Sequence, residues 1–410
     1  MARLRLPFLT SLPKRKRSEV MQLTQEQQLM LDGEQGEAAR QSMEILAALG
    51  KIYGAADMVP VTSVQVAGVS YKTIGDAGLE YLQDMVQKGA KVKVPTFLNP
   101  AGMDREQWEA LRVPPAFAKK QLEILDTFAE MGIGMTCTCT PYLVGIRPKQ
   151  SEHIAWSESS AISFANSVLG ARTNREGGPS ALAAAICGFT PNYGLHLDEN
   201  RVANLLVKVE TELKGTSDFG AMGAYIGEAA KGKTPAFVGV KAASEDRLKS
   251  LGASMAAWGS VAIYNMQGIT PEWNVVDGAE EITFGARELA ETREKIGGDG
   301  KPDMVAIGCP HASLSEIEEV AVKVRGKKLK TKLWVCTARK TKEAADKAGF
   351  TQAIEQAGGN VVADTCMVVC PLEEMGIKHA ACNSGKAAKY LTNMFKRKVV
   401  YGDVGDIICE

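Results

Sequence analysis

Short apolar runs rich in β-branched residues alternate along this chain with longer stretches in which apolar residues recur every three to four positions. That alternation is the signature of α/β folds with buried parallel strands. Residues 62–68 (TSVQVAG) predict a strand, 74–89 (IGDAGLEYLQDMVQKG) an amphipathic helix ending at Gly89, and 90–100 (AKVKVPTFLNP) the next strand. Together they form one βαβ unit. Residues 133–139 (IGMTCTC) predict a further strand, and 153–170 a strand running into a helix. After about residue 285 the alternation becomes regular. DMVAIG, KLWVCT, NVVADT and HAACN are strands, separated by helices that begin near Ser313, Thr341 and Thr351. The expected fold class is α/β, with doubly wound, mostly parallel sheets and ligand sites at strand carboxyl ends. An N-terminal α/β region is expected over 21–285 and a doubly wound C-terminal lobe over 286–410, with VDGAEEITFG (276–285) as their connection.

Composition narrows the function classes. Lys+Arg and Asp+Glu both number 48 among 410 residues. Such a balance gives no reason to expect nucleic acid or an anionic membrane as partner. No apolar run reaches the 18 residues of a membrane span. In residues 1–20 the short apolar part precedes the Lys14–Arg17 basic run, the reverse of a secretory signal. This basic extension is expected to be a disordered tail or an overlong start. Met21 is a natural alternative start, because Thr24 and Gln27 then form a capping box for the first helix. Nine cysteines without a secretion signal point to a reducing cytoplasm. Only four histidines are present, which weighs against a site built from several of them.

Three cysteines stand where strands give way to loops: Cys139 in CTCTPY, Cys309 in GCPH and Cys366 in DTCMVV. Ligands of open α/β sheets gather outside the carboxyl ends of strands, so three such thiols can share one crevice. Neither zinc-type C-x-x-C pairs nor a ferredoxin-type run is present. Spacing alone leaves open both a metal site and buried thiols without function. Cys336, Cys187 and Cys409 suit core or surface positions, while Cys137 and Cys370 are near neighbours of the candidate ligands. His311 suits a hydrogen bond beside the site or a helix cap. Three cysteines on a four-iron cluster would leave one iron free to bind a substrate hydroxyl and carboxylate, which is the chemistry of dehydration.

Several segments could hold an anionic substrate. AGVSYKTIGDAG (67–78) turns from strand to helix at Gly68, Val69 and Ser70, where N–H groups suit a carboxylate or phosphate; a plain βα turn is the alternative. Asn99 and Pro100 end the next predicted strand, and the Asn99 amide can bind substrate or close an Asx-type turn. Glu158 and Ser159 in WSESSA open a helix, either as a solvated N-terminal acid or as a group that binds a hydroxyl and shuttles its proton. In CNSGKAAKY (382–390), Ser384 suits an N-cap. Lys386 suits either neutralisation of an anion or simple exposure. Arg175 in TNREGGPS is an anion donor or part of a charged loop.

Eight segments in order, GVSYKTIGDAG, LNPAGMD, CTCTPY, WSESSA, NREGGPS, GCPHASLSE, DTCMVV and NSGKAAKY, make the chain resemble the large subunits of the aconitase X family from Met21 to its end. The resemblance implies an aconitase-like, multi-lobed fold and an iron–sulfur hydro-lyase. It implies a [4Fe–4S] cluster on Cys139, Cys309 and Cys366. Substrate contacts carry over to Gly68, Val69, Ser70, Asn99, Pro100, Glu158, Ser159 and Lys386. It also implies a separate small subunit that supplies a serine alkoxide as base, so Glu158 is the one acid within the motifs to consider here. Two family activities are candidates. One converts (R)-5-phosphomevalonate to trans-anhydromevalonate 5-phosphate in a modified mevalonate pathway to isoprenoids; the unfused length and LNPAGMD favour it. The other dehydrates cis-3-hydroxy-L-proline, in relatives often fused to the small domain. A cluster-binding regulatory protein without turnover is a third possibility, from a different class. The basic extension and the extra thiols Cys137 and Cys370 depart from the family pattern.

Overall fold

Residues 21–408 are described by the computed structural model; the basic extension 1–20 and Cys409 lie outside the described residues. At the start, the Thr24 hydroxyl accepts from the Gln27 N–H at 3.3 Å and the Gln27 side chain accepts from the Thr24 N–H at 2.9 Å, the expected capping box of helix Gln25–Leu31. The first region, to about residue 199, centres on a parallel sheet in the order Thr96–Leu98, Val64–Val66, Ala155–Trp156. These strands are two or three residues long and buried throughout. Helix Tyr71–Gln87 follows the second of them; Ser70 caps its first turn, and a non-helical Gly75, with φ 58°, separates that turn from the longer helix that the apolar pattern predicts. Helices Glu37–Tyr53, Pro115–Glu130 and Gly178–Cys187 complete the surrounding core.

The expected strand over 133–139 does not form. The segment touches the sheet edge through one parallel bridge, Phe97 to Gly134, and through the Thr138 N–H on the Leu98 carbonyl at 3.0 Å. Between them Cys137 takes a left-handed φ of 44°, which no β ladder accommodates.

The second region holds a four-stranded parallel sheet in the order Asn265–Met266, Pro235–Val238, Ala203–Val209, Val275–Phe284. The segment expected as a connection is thus its edge strand, paired from Leu205–Glu280 to Val209–Phe284. Its acidic, largely exposed side chains are what an open edge tolerates. Helices Thr216–Ala230 and Glu245–Gly259 lie very close: a Cβ on Gly259 would meet the Gly227 carbonyl oxygen at 1.9 Å.

The third region meets the doubly wound expectation. Five parallel strands run in the order Asn360–Ala363, Lys332–Thr337, Met304–Ile307, Ala380–Cys382, Val400–Tyr401. The intervening helices start at Leu314, Arg339 and Phe350. Chain order reverses between Met304–Ile307 and Ala380–Cys382, the topological switch point where such sheets bind ligands. The first and third regions share a seam: Ala101 bridges Thr365, and the Ala101 N–H donates to the Asp364 carbonyl at 2.8 Å. Arg339 reinforces it, reaching Asp104 at 2.6 Å and Asp364 at 2.5 Å. Among the described residues, no helix is long and apolar enough to cross a membrane.

Candidate active site

Both chain segments that leave the switch point carry candidate residues. Cys309 stands two residues beyond strand Met304–Ile307, and Ser384 and Lys386 follow strand Ala380–Cys382. Ser384 caps helix Gly385–Phe395 through the Ala387 N–H, and its hydroxyl donates to the Cys309 carbonyl, tying the two strand ends together. Cys366 leaves the end of strand Asn360–Ala363. Its sulfur accepts the Cys309 thiol proton and the Val368 and Val369 N–H groups, which together hold it below the ordinary thiol range against its burial. Cys309, the donor in that contact and itself buried, is pushed up. Cys139 arrives from the first region and is likewise pushed up by burial, with Glu158 and Cys366 adding to the shift. The His311 N–H donates to its sulfur at 3.2 Å. The three candidate thiols are therefore one electrostatic group, although they come from three distant segments.

Lys386 does not face solvent, nor is Glu158 a solvated acid. They form a buried ion pair across the first and third regions. Burial works against the charge on Glu158, but the Lys386 ammonium, the Ser160 hydroxyl and the Ala161 N–H outweigh it and keep the carboxyl below its usual range. Lys386 is held protonated in the same way, with Glu158 and the nearby thiols overriding desolvation. The Ser159 hydroxyl lies 3.4 Å from both the Lys386 Nζ and a Glu158 oxygen.

The Gly68–Val69–Ser70 turn reaches the same neighbourhood. Gly68 has a φ of 79°, a backbone conformation that suits glycine. Ser70 caps its helix and donates through Oγ to the Val369 carbonyl at 2.8 Å, three residues beyond Cys366. Asn99 and Pro100 sit at the end of strand Thr96–Leu98. The Asn99 Oδ1 is buried without a hydrogen-bond partner, so it is not closing an Asx turn. An orphaned buried acceptor is costly unless something else meets it. Arg175 is not brought in; its guanidinium donates to the Ser260 carbonyl at 3.2 Å.

Among the described residues no three His, Cys, Asp or Glu side chains close around a point tightly enough for a single metal ion. A multi-iron cluster asks for something different, thiolates spread around a larger body. The donor chemistry fits that demand: three converging sulfurs, backbone N–H groups aimed at two of them and a lysine cation nearby. The neighbouring thiols have other partners. The Cys370 Sγ meets the Met375 Sδ at 3.6 Å, Cys187 the Ala39 carbonyl at 3.8 Å and Cys382 the Ser384 carbonyl at 3.6 Å. Cys137 is buried beside Asp364 and Arg105; Cys336 lies inside strand Lys332–Thr337, and although it feels the charge of Cys366, Cys370 and Cys139 it does not stand at a strand end. A cavity of about 420 Å3 lies between the second and third regions. It shares Thr216, Glu316 and Asn383 with a narrow cleft that ends at Cys309 and Ser384.

Family models describing the first, second and third domains of aconitase X match residues 20–199, 203–294 and 302–410, each enclosing one of the three larger sheets. The chain belongs to the aconitase X family. It is similar to a Methanocaldococcus jannaschii protein named phosphomevalonate dehydratase large subunit, 49% identical over 95% of this chain and 99% of that one. A crystal structure of Thermococcus kodakaraensis aconitase X, in its holo form, superposes with a TM-score of 0.89 at 48% identity, covering 94% of this chain and 98% of the other. A Hypocrea jecorina cis-3-hydroxy-L-proline dehydratase is 31% identical over 95% of this chain and 69% of its own length. The aconitase-like α/β fold expected from the motifs is the fold observed.

Two glutamines in this aconitase X site escaped the sequence reading. Gln121, on the buried face of helix Pro115–Glu130, accepts the Tyr71 and Gly102 N–H groups at 3.0 and 2.9 Å and donates to the Val69 carbonyl at 2.8 Å. One side chain thus sets the shape of the Gly68–Ser70 turn. Gln65, inside strand Val64–Val66, donates to the Thr138 carbonyl at 3.0 Å, next to Cys139. A polar residue within an apolar stripe is the signal that could have found each.

Proposed function

We propose that this chain is the large subunit of an iron–sulfur hydro-lyase that dehydrates (R)-5-phosphomevalonate to trans-anhydromevalonate 5-phosphate, working with a small subunit in a reducing cytoplasm. The convergence of Cys139, Cys309 and Cys366 beside the buried Glu158–Lys386 pair carries the reaction class. The near full-length likeness to a phosphomevalonate dehydratase large subunit supports the substrate.

In this reading the three cysteines hold a [4Fe–4S] cluster, which when bound supplies a Lewis-acidic iron for departure of a hydroxyl. The chain's own residues bind and orient. Lys386 carries a fixed positive charge for the substrate carboxylate, and its pairing with Glu158 keeps both groups ionised in a buried place. Glu158 and Ser159 offer acceptors to the leaving hydroxyl. The Gly68–Ser70 turn presents N–H groups to an anionic end, and the orphaned Asn99 oxygen accepts from a substrate hydroxyl. None of these is a base: Lys386 is protonated and Glu158 is committed to it. The family resemblance implies that the proton beside the carboxylate leaves to a group on the small subunit.

The deciding experiment is anaerobic reconstitution of the large subunit, with and without the small subunit, assayed on both candidate substrates. Turnover of 5-phosphomevalonate is expected only for the pair, saturating at one to one. Iron content should drop sharply in Cys139→Ser, Cys309→Ser and Cys366→Ser protein and stay near normal in Cys336→Ser. Turnover of cis-3-hydroxy-L-proline with none of 5-phosphomevalonate would overturn the substrate assignment. Full activity of the large subunit alone would make Glu158 the base.

A further inference from the structure

We infer that His311 is a positioning residue that fastens the three cysteine-bearing segments to one another, and that it does so in the metal-free chain. The purpose of the gathered thiols rests on the function proposed above; the fastening itself does not.

The His311 imidazole is fully buried. Its Nε2 lies 2.9 Å from the carbonyl oxygen of Thr365, the residue before Cys366. A carbonyl can only accept, so Nε2 carries the hydrogen. In the neutral ring Nδ1 is then a bare acceptor. It lies 2.9 Å from the Thr138 hydroxyl, on the residue before Cys139. The direction of that bond follows too: Thr138 donates, while its oxygen accepts from the Thr140 N–H at 3.1 Å. The ring therefore joins the Cys139 segment to the Cys366 segment, with the donor direction fixed at both ends.

The backbone of the same residue makes two more ties. Its N–H donates to the Cys139 sulfur at 3.2 Å, two residues after Cys309. Its carbonyl accepts from the buried Lys249 Nζ at 3.2 Å, and Lys249 is itself held by Asp246 and Glu316. One residue thus touches all three thiol-bearing segments and helix Glu245–Gly259 of the second region. A capping role is excluded, since helix Leu314–Val324 is capped by Ser313. The Cys139 segment has particular need of such a tie, because it lacks the ladder that fixes the other two thiols.

Three variants test the inference: His311→Gln, which keeps a donor for Thr365 and loses the acceptor for Thr138; Thr138→Val, which removes the same bond from its other end; and His311→Phe, which removes both. In metal-free protein, residue-resolved alkylation followed by mass spectrometry should show Cys139 and Cys366 reacting faster in all three, by about tenfold in His311→Phe, because losing a buried hydrogen bond makes local opening easier. The Gln variant should be partly rescued, and combining it with Thr138→Val should add little. Cys187, in helix Gly178–Cys187, is the internal control and should not change. In reconstituted protein, iron loss to a chelator should quicken in the same order. Should His311→Phe fail to fold, the other two variants decide. Folded Gln and Thr138→Val proteins with wild-type alkylation at Cys139 and Cys366 would overturn the inference, as would equal acceleration at Cys187. If wild-type protein takes up no iron while the variants still alkylate faster, the cluster assignment falls and the fastening stands.

Discussion

In the five-stranded sheet, Cys309 and Cys366 follow directly on strands Met304–Ile307 and Asn360–Ala363, each locked in parallel register with strand Lys332–Thr337. In the three-stranded sheet, Cys139 ends a segment that meets its neighbour through one bridge and two backbone hydrogen bonds, from the Gly134 N–H to the Thr96 carbonyl and from the Thr138 N–H to the Leu98 carbonyl, and that the side chains of Gln65 and His311 hold further. One region places thiols by a continuous backbone ladder, the other by an interrupted edge contact supplemented by side-chain hydrogen bonds. The ladder is cooperative and repeats with the strand, so neighbouring bonds support each placement. The side-chain ties are few and far apart in sequence, so each carries more of the load.

Acidification should have the largest effect, and it acts on both regions. His196 in the first region and His311 in the third are both kept neutral chiefly by burial, to about 3 and about 4. Their folded values lie below an unfolded value of about 6.5, so the unfolded chain binds the extra protons. Stability is then fully present above about pH 6.5 and is lost as pH falls, by about 1.4 kcal/mol per unit for each histidine. Denaturant unfolding of metal-free protein at pH 6.5, 5.5 and 4.5 should show the loss, and His196→Asn should make the slope shallower, acting also through His153, whose pKa burial lowers too and which lies 2.9 Å from it. A flat profile would break the expectation.

Next in size is the pair that crosses between the regions. Lys386→Met or Glu158→Gln leaves a buried partner without its counter-charge, and each should destabilise by about 3–5 kcal/mol. The double variant should recover much of that loss. Additive losses in the cycle would mean that the two side chains are not coupled.

A smaller contrast lies between two glycines, one per region. At Gly308, φ is 95° and a Cβ would meet the Cys336 carbonyl oxygen at 2.0 Å, backbone that can yield only by moving a strand. At Gly102 a Cβ would meet the far ends of the Phe117, Ser70 and Gln121 side chains at 2.5 to 2.7 Å. Gly308→Ala should lower stability by about 3 kcal/mol and Gly102→Ala by about 1–2 kcal/mol, the latter with loss of substrate affinity as the Gly68–Ser70 turn shifts. Equal losses would erase the distinction between ladder and side-chain support. Smallest of all, Ser313→Ala and Thr24→Ala each remove a helix cap, one in each region, and should cost about 1 kcal/mol by thermal unfolding.

The same contrast decides what could be read from the residues. Three largely apolar strands of four to six residues made most of the third region legible, down to Ser313 as a helix start, while the two-residue edge strand Val400–Tyr401 went unread. The first region's strands are two or three residues long, too short to show a period. Residues 133–139 carried a strand-like composition that the left-handed Cys137 overrides. The acidic edge strand Val275–Phe284 looked like a connection because only one face and one side of it are covered. Within the site, residues at strand ends and helix caps stood out, since glycine, proline and capping side chains mark such places. Gln121 and Gln65 did not, because the partners that give them meaning lie on other segments.

The seam between Ala101 and Thr365 bears on ancestry. A backbone bridge, with Arg339 clamped on Asp104 and Asp364 beside it, requires both sides to match atom for atom. Residues 302–410 therefore cannot be traded between relatives as a free-standing module. A graft must bring a carbonyl opposite the Ala101 N–H and a guanidinium opposite Asp104, or leave that buried carboxylate uncompensated. The first and third regions are heritable only as a matched set, while the second region, which takes no part in that bridge or that clamp, is the piece with more freedom to diverge.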